Sequence, residues 1–319
     1  MNNNVCVNEW VLWLGDVRRL RSATISVYKY TMDEFVRHIR SVPFDAVNAE
    51  MVESFMCRVR TRGRMPAPAT QNRDRNCLMS FYKFMQSRGL AQTNPAELVG
   101  RPVVRNRQIK AIPDDVWESF WGSHITDPDR VWIGLGVFCG LRRRELVTVS
   151  PRHFDLKSQT INHLERKGGG TYSIEYGEMA RIVAQGLPQV LPDVEGWLSM
   201  VANSVNYRAS QNATVLVPFD APAPELTRYR MSLTEPGIPD PGAINKRLAK
   251  LIARSGLERN VFSPHSLRHT CATNLMRCGV PVEVLADQLG HSSIETTRRY
   301  LNTSNQLGAW RVNNAKVNK

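Results

Sequence analysis

Six residues constrain this chain more than any other feature: Arg142, Lys167, His265, Arg268, His291 and Tyr300. They sit in four strings: Gly-Leu-Arg-Arg-Arg-Glu-Leu (140–146), Arg-Lys-Gly-Gly-Gly (166–170), Pro-His-Ser-Leu-Arg-His-Thr (264–270) and Leu-Gly-His-Ser-Ser-Ile-Glu-Thr-Thr-Arg-Arg-Tyr (289–300). A fold that uses them together must close over most of the C-terminal two-thirds. Five are cationic or can become so, and the sixth is a phenol. This inventory suits a phosphodiester. Two arginines can fork onto non-bridging oxygens, histidines and a lysine can move protons, and a tyrosine can attack and hold the phosphate covalently. No acidic cluster accompanies them to carry magnesium, and no phosphate-cradling glycine loop of the nucleotide-binding kind occurs, so neither a metal nor another cofactor is implied.

At 319 residues the chain has length for two domains. Its net charge of +13 is uneven: residues 1–110 hold 18 Lys and Arg against 9 Asp and Glu, whereas 111–319 hold 24 against 20. A basic excess of this kind is the footprint of polyanion binding, with a merely soluble basic surface as the alternative. No apolar run is long enough for a transmembrane helix, and no secretory signal is visible at Met-Asn-Asn-Asn-Val-Cys. The six cysteines lack Cys-x-x-Cys pairing and read as reduced thiols of a cytoplasmic protein.

The pattern along the chain predicts a mainly α fold with a small β-sheet, an α+β class. Residues 8–90 read as mostly helical, with Trp10 to Leu20 marking a first run. Ser22 or Thr24 opens a second, and Val47–Arg60 and Thr70–Arg88 form two more, the last closed by Gly89. Thr61-Arg-Gly-Arg-Met-Pro-Ala-Pro reads as a basic loop and 99–113 as a linker, which gives a helical domain over 1–98 and a second domain over 114–319. In the latter, Val131–Phe138 is an apolar helix ending at Gly140, and Arg142–Val149 begins the next. Thr160–Glu165 and Thr171–Tyr176 form a hairpin about three glycines. Residues 213–217 suggest a buried strand, and six prolines over 218–241 argue against regular structure there. Ala243–Arg254, His265–Arg277 and Val282–Leu289 read as helices, and Ser292-x-x-Glu295 as a capping box before Tyr300.

On these strings, in this order, and on the nine-residue gap from His291 to Tyr300, the chain resembles the tyrosine recombinase (phage integrase) family. The N-terminal strings Arg21-Ser-Ala-Thr-Ile-Ser-Val-Tyr28 and Arg75 to Phe84, followed by Asn94-Pro95-Ala96, resemble that family's core-binding domain. The resemblance implies a SAM-like helical domain clamping DNA, then a catalytic domain with a C-terminal tail. It also implies a site-specific strand transferase working through a 3′-phosphotyrosine. Because the core-binding pattern starts at once, a separate arm-site-binding domain is not expected.

The resemblance singles out Arg142 among three arginines. It implies that Arg142 and Arg268 hold equatorial oxygens, Lys167 protonates the leaving 5′-oxygen, His265 accepts the tyrosine proton or bonds the phosphate, His291 supports a non-bridging oxygen, and Tyr300 attacks. Gly-Gly-Thr-Tyr-Ser stands after Lys167 where the family commonly has another lysine and an arginine. Glu145 is the natural anion to orient an arginine, with a structural role as the alternative. Candidate DNA contacts are Arg62, Arg64, Arg73, Arg75, Lys83, Arg105, Arg107, Lys110, Arg143 and Arg144. Implied partners are duplex DNA with inverted-repeat core sites, three further copies of the chain in a tetrameric synapse with the tail (301–319) docked on a neighbour, and accessory proteins that the sequence does not name. A bacterial, phage or plasmid origin with nucleoid association fits. The rival readings are a type IB topoisomerase, a telomere resolvase, a non-catalytic DNA-binding protein on this fold, and a zinc site from His265, His269 and His291.

Overall fold

The computed structural model describes residues 3–59, 63–103, 111–166, 169–187, 194–212, 242–258, 261–291, 293–298 and 300. The chain divides into two compact units, Met1–Arg107 and Gln108–Lys319.

The first unit is helical. Helix α1 spans Asn3–Asp16 and buries Cys6, Val7, Trp10 and Leu14, one face at helical spacing. It begins seven residues before Trp10, where its apolar run starts, and Leu12 and Val17 face solvent. Helix α2 (Ser22–Ile39) takes Arg21 as its N-cap, without a side-chain bond, so neither Ser22 nor Thr24 caps it. Helix α3 (Ala49–Met56) is shorter than the 47–60 reading because the Asn48 side chain accepts from the Met51 N–H and fixes its start. Helix α4 (Pro68–Ser87) opens with proline in its first turn and gives way at Gly89, whose φ is 69°. A short helix α5 (Pro95–Leu98) follows an Asn94 cap. Trp10 stacks on Tyr28 and meets the edge of Phe81, and Phe35, Phe44 and Phe55 continue the aromatic core. Burying each such ring contributes about 1.5–3 kcal/mol.

Two arginines here serve the fold. Arg75, expected on the DNA face, is buried, and its Nε donates to the Val99 carbonyl at 2.7 Å. It ties α4 to the segment after α5. Arg73 is partly exposed but paired with buried Asp74 at 2.7 Å, which Arg58 also meets at 3.0 Å. Arg64 and Lys83 are exposed, while Arg62, Arg105, Arg107 and Lys110 lie outside the described residues.

The second unit opens with helix α6 (Asp114–Trp121) and helix α7 (Asp127–Val137), whose core face carries Trp132, Leu135 and Val137. Helix α8 (Arg143–Thr148) leads to a three-stranded antiparallel sheet, β1 (Phe154–Asp155), β2 (Thr160–Glu165) and β3 (Thr171–Glu175), in that spatial order. The β2–β3 ladder slips between Ile161 and Leu164, where His163 takes a positive φ of 58°. Helices α9 (Tyr176–Gly186) and α10 (Val194–Ser210) follow, neither expected from the sequence. Then come α11 (Gly242–Arg254), α12 (Pro264–Arg277), α13 (Val282–Gln288) and the one-turn α14 (Glu295–Arg298). Helix α12 is the spine: it packs on α7 and α9, with Leu267, Cys271 and Leu275 buried. The expectations for 213–241 and for Ser292 as a cap fall outside the described residues. Among the described residues no helix is long and apolar enough to cross a membrane.

Candidate active site

Three local structures converge, beginning at the N-terminus of α8. Arg142 is its N-cap, and its backbone N–H donates to Glu145 Oε2 at 2.6 Å while its Nη1 donates to Glu145 Oε1 at 2.7 Å. Glu145 is thus locked in the first turn, where a carboxylate also suits the helix dipole. The same arginine reaches across the fold, with Nη2 donating to the Gly290 carbonyl at 2.8 Å.

Helix α12 supplies the second part. Arg268 is 3 % exposed, and its Nη1 donates to the Gly140 carbonyl and its Nη2 to the Leu289 carbonyl, each at 2.5 Å. Its Nη1 lies 3.9 Å from Glu145 Oε2, so one buried carboxylate stands between two guanidiniums. Burial first, then neighbouring Arg142, lowers the Arg268 pKa, and Glu145 opposes both.

The third part is the turn that ends α13. The Gly290 N–H donates to Asp287 and the His291 N–H to Ala286, the paired bonds of a Schellman motif. Gly290 sits at φ 59°, and a Cβ there would come within 2.6 Å of Tyr172 Cζ, so glycine is required twice over. The turn delivers His291 with Nε2 2.9 Å from Arg268 Nη2 and Nδ1 2.6 Å from the Thr297 hydroxyl. With both ring nitrogens engaged, His291 is poorly placed as a zinc ligand. Among the described residues no three His, Cys, Asp or Glu form a metal-holding group.

Tyr300 follows α14, is 5 % exposed, and lies close enough to raise the Arg268 pKa through its own negative form. Its hydroxyl is 2.9 Å from Nδ1 of His269. His265 is exposed, which rules out a core histidine, and its ring stacks on that of His269 at 5.7 Å. Arg143 and Arg144 are exposed beside the half-buried Arg142. Lys167 lies outside the described residues, but the strands that flank its turn are placed. The structure therefore gathers Arg142, Glu145, Arg268 and His291 into one cluster joined by hydrogen bonds and a 3.9 Å ion pair, with Tyr300 adjoining.

Two further residues join it. His269 stands beside Arg268 in the same string, and a second histidine one turn from the first was the available signal. Tyr172 is buried on β3, its phenol pKa raised by burial and then by Glu145, and its ring lies against Gly290. It fills the stretch after Lys167 where the family commonly has basic residues. Cation over ring, Arg166 sits 5.7 Å from its centroid.

Comparison with known proteins adds sequence and fold relations. The family model described as "Phage integrase family" matches residues 240–306. The tyrosine recombinase XerC of Alcanivorax borkumensis is 26 % identical over 301 residues, covering 92 % of this chain and 88 % of that protein. A lambda integrase dimer bound to a COC′ core site has a TM-score of 0.65 at 15 % identity, over 93 % of this chain and 76 % of its own. The Tn1549 transposon integrase in complex with a circular intermediate DNA has a TM-score of 0.64 at 18 % identity, over 94 % and 95 %. The two structures share the fold with this chain.

Proposed function

We propose that this chain, which belongs to the tyrosine recombinase (phage integrase) family, is a site-specific DNA recombinase that cleaves and rejoins strands through Tyr300. The observation that carries the reading is the Arg142–Glu145–Arg268–His291 cluster, built on buried Glu145 and Arg268, with a tyrosine hydroxyl adjoining it. Two guanidiniums fixed by one carboxylate and by backbone carbonyls are pre-organised donors, and a site that need not reorganise stabilises developing charge best. Each guanidinium has five N–H donors, so the bonds already made leave others for phosphate oxygens.

In this reading Tyr300 attacks the phosphorus in line and becomes joined to the 3′ side of the break, while the 5′-oxygen leaves. Arg142 and Arg268 bear the equatorial oxygens, His291 holds Arg268 in place, and exposed His265 meets the phosphate from the solvent side. Lys167, on the turn between β2 and β3, gives its proton to the leaving oxygen. The phosphotyrosine conserves the bond energy, so the 5′-hydroxyl of another strand reverses the step without a nucleotide. Duplex DNA is the substrate, and the lambda and Tn1549 complexes support that partner. The finer assignment is a tetramer on inverted-repeat core sites, the tail (301–319) docking on the next protomer, with Arg64, Lys83, Arg143 and Arg144 against the backbone.

The test is covalent capture. Nicked duplexes tiling the DNA that flanks the gene are incubated with the protein in EDTA and resolved on denaturing gels. A 3′-linked adduct forms with the wild type and not with Tyr300→Phe. An adduct that survives Tyr300→Phe, or one that requires magnesium, overturns the reading.

A further inference from the structure

The hydroxyl of Tyr300 meets a residue outside the six-residue pattern. His269 lies on α12, one position beyond Arg268, and its Nδ1 is 2.9 Å from the Tyr300 oxygen. The two rings are 5.6 Å apart and tilted by 56°, so they are not stacked and the hydroxyl–nitrogen distance is the closest polar approach between them. Tyr300 is buried and His269 half-buried, which shields the bond from bulk water and strengthens it. One turn earlier, His265 stacks on the His269 ring at 5.7 Å with 20° between the planes, and it is exposed. The two histidines therefore occupy different positions: one toward solvent, the other on the nucleophile.

A tyrosine ionises near pH 10 and is a poor nucleophile at neutral pH unless a base takes its proton during attack. Imidazole is the side chain best matched to that task. Resting on the recombinase reading above, we propose that His269 is the general base for Tyr300, and that His265 is left to the phosphate. As the Tyr300 Oη–P bond forms and the P–O5′ bond breaks, the phenolic proton passes to Nδ1 of His269. That nitrogen is an acceptor when the other, Nε2, carries the ring proton. The leaving 5′-oxygen takes its proton from the general acid, assigned above to Lys167. On rejoining, an incoming 5′-hydroxyl returns a proton to the acid, its oxygen forms the new P–O bond, the phosphotyrosyl bond breaks, and His269 hands its proton back to Tyr300. No metal, nucleotide or net proton is consumed.

The test uses the full chain in single-turnover adduct formation on the same tiled nicked duplexes, from pH 5.5 to 9. Wild type, His269→Ala, His269→Gln and His265→Gln are compared, with DNA affinity measured in parallel. Gln can keep a hydrogen bond to the hydroxyl but cannot carry its proton. Both His269 variants should lose about 10²- to 10⁴-fold in rate with affinity within twofold. The acid limb of the wild-type profile should vanish, and added imidazole should restore rate to His269→Ala. A His269→Gln protein that matches wild type makes the residue a positioning group and overturns the proposal. So does a His269 variant that is faster than wild type, since the contact would then be a latch, or one that is slower with the acid limb intact. If the wild type itself forms no adduct on any tile, the recombinase reading falls and this inference with it. If the wild type reacts and the His269 variants react equally, this inference falls alone.

Discussion

Arg268 donates through Nη2 to Nε2 of His291 at 2.9 Å, and this contact decides which nitrogen of the imidazole carries the proton. An arginine remains charged at any working pH and cannot accept, so Nε2 must. The proton then sits on Nδ1, donated to the Thr297 hydroxyl at 2.6 Å. Thr297 is fully buried on the one-turn helix that precedes Tyr300. The orientation of His291 is therefore coupled to the segment that carries the nucleophile.

Replacing Thr297 with Val keeps shape and removes the acceptor. One lost buried hydrogen bond costs about 1–3 kcal/mol, so adduct formation should slow by roughly 5- to 150-fold with DNA affinity unchanged. Nitrogen-15 spectra of the histidines should show His291 losing its fixed tautomer. A Thr297→Val protein with wild-type rate and an unaltered His291 signal would remove the coupling.

Glu145 is buried and stands between two cations. Substituting Ala strands the buried Arg268 charge, which should cost about 3 kcal/mol or more in urea unfolding. Gln preserves the bond to the Arg142 backbone N–H and should cost less. Equal stability of all three proteins would mean that the carboxylate does not organise the pair.

Arg75 and Arg64 separate fold from binding. Arg75→Ala should destabilise the first unit by about 1–3 kcal/mol, since the Val99 carbonyl loses a charged donor. Arg64→Ala should leave stability alone and lower the log–log salt slope of DNA binding by about one. A reversed outcome, with Arg64 needed for folding and Arg75 for salt dependence, contradicts the placement of both.

His153 gives a pH signature unrelated to catalysis. Its Nδ1 lies 3.0 Å from the Ser150 nitrogen and 3.2 Å from the Ser150 carbonyl oxygen, and burial, the leading cause, holds its pKa below the ordinary 6.5 although the bond that a protonated Nδ1 makes to that carbonyl opposes this. The unfolded chain therefore binds the proton more readily, so the contribution is present above that range and lost as pH falls through it. Urea midpoints of wild type and His153→Asn should converge between pH 8 and 5.5. Midpoints that stay equally apart would show that His153 does not titrate on unfolding.

What the sequence made legible follows from how local each signal is. Helix α12 was readable because Ser263-Pro264 opens it and Leu267, Cys271 and Leu275 mark a face, and β2 and β3 because three glycines separate two short runs. Helix α9 was not, since β3 passes into it at Tyr176 without a turn residue and Glu175 makes no side-chain cap. The first strand has only two residues, too few for a period. Within the site, Arg142, Arg268 and His291 announced themselves by their strings. His269 and Tyr172 did not, because what sets them apart is distance: one from a hydroxyl 31 residues on, the other from a glycine turn that its ring pins. Arg75 looked like every other arginine of a basic segment, and only packing shows that it faces inward.

Glu145 also fixes the charge count of the site. Two arginines and one carboxylate, beside a neutral His291, sum to a single positive charge. A phosphodiester carries a single negative one, so the ground-state complex is neutral and the diester is matched but not over-held. Attack by a tyrosine oxygen adds a second negative charge that this cluster cannot balance. The extra compensation has to come from outside it, as a proton or a cation that arrives with the transition state. Selectivity for the transition state over the resting diester is then controlled by whatever brings that charge. On the assignments proposed above, that charge is carried by His269, which becomes cationic as it takes the phenolic proton, and by Lys167.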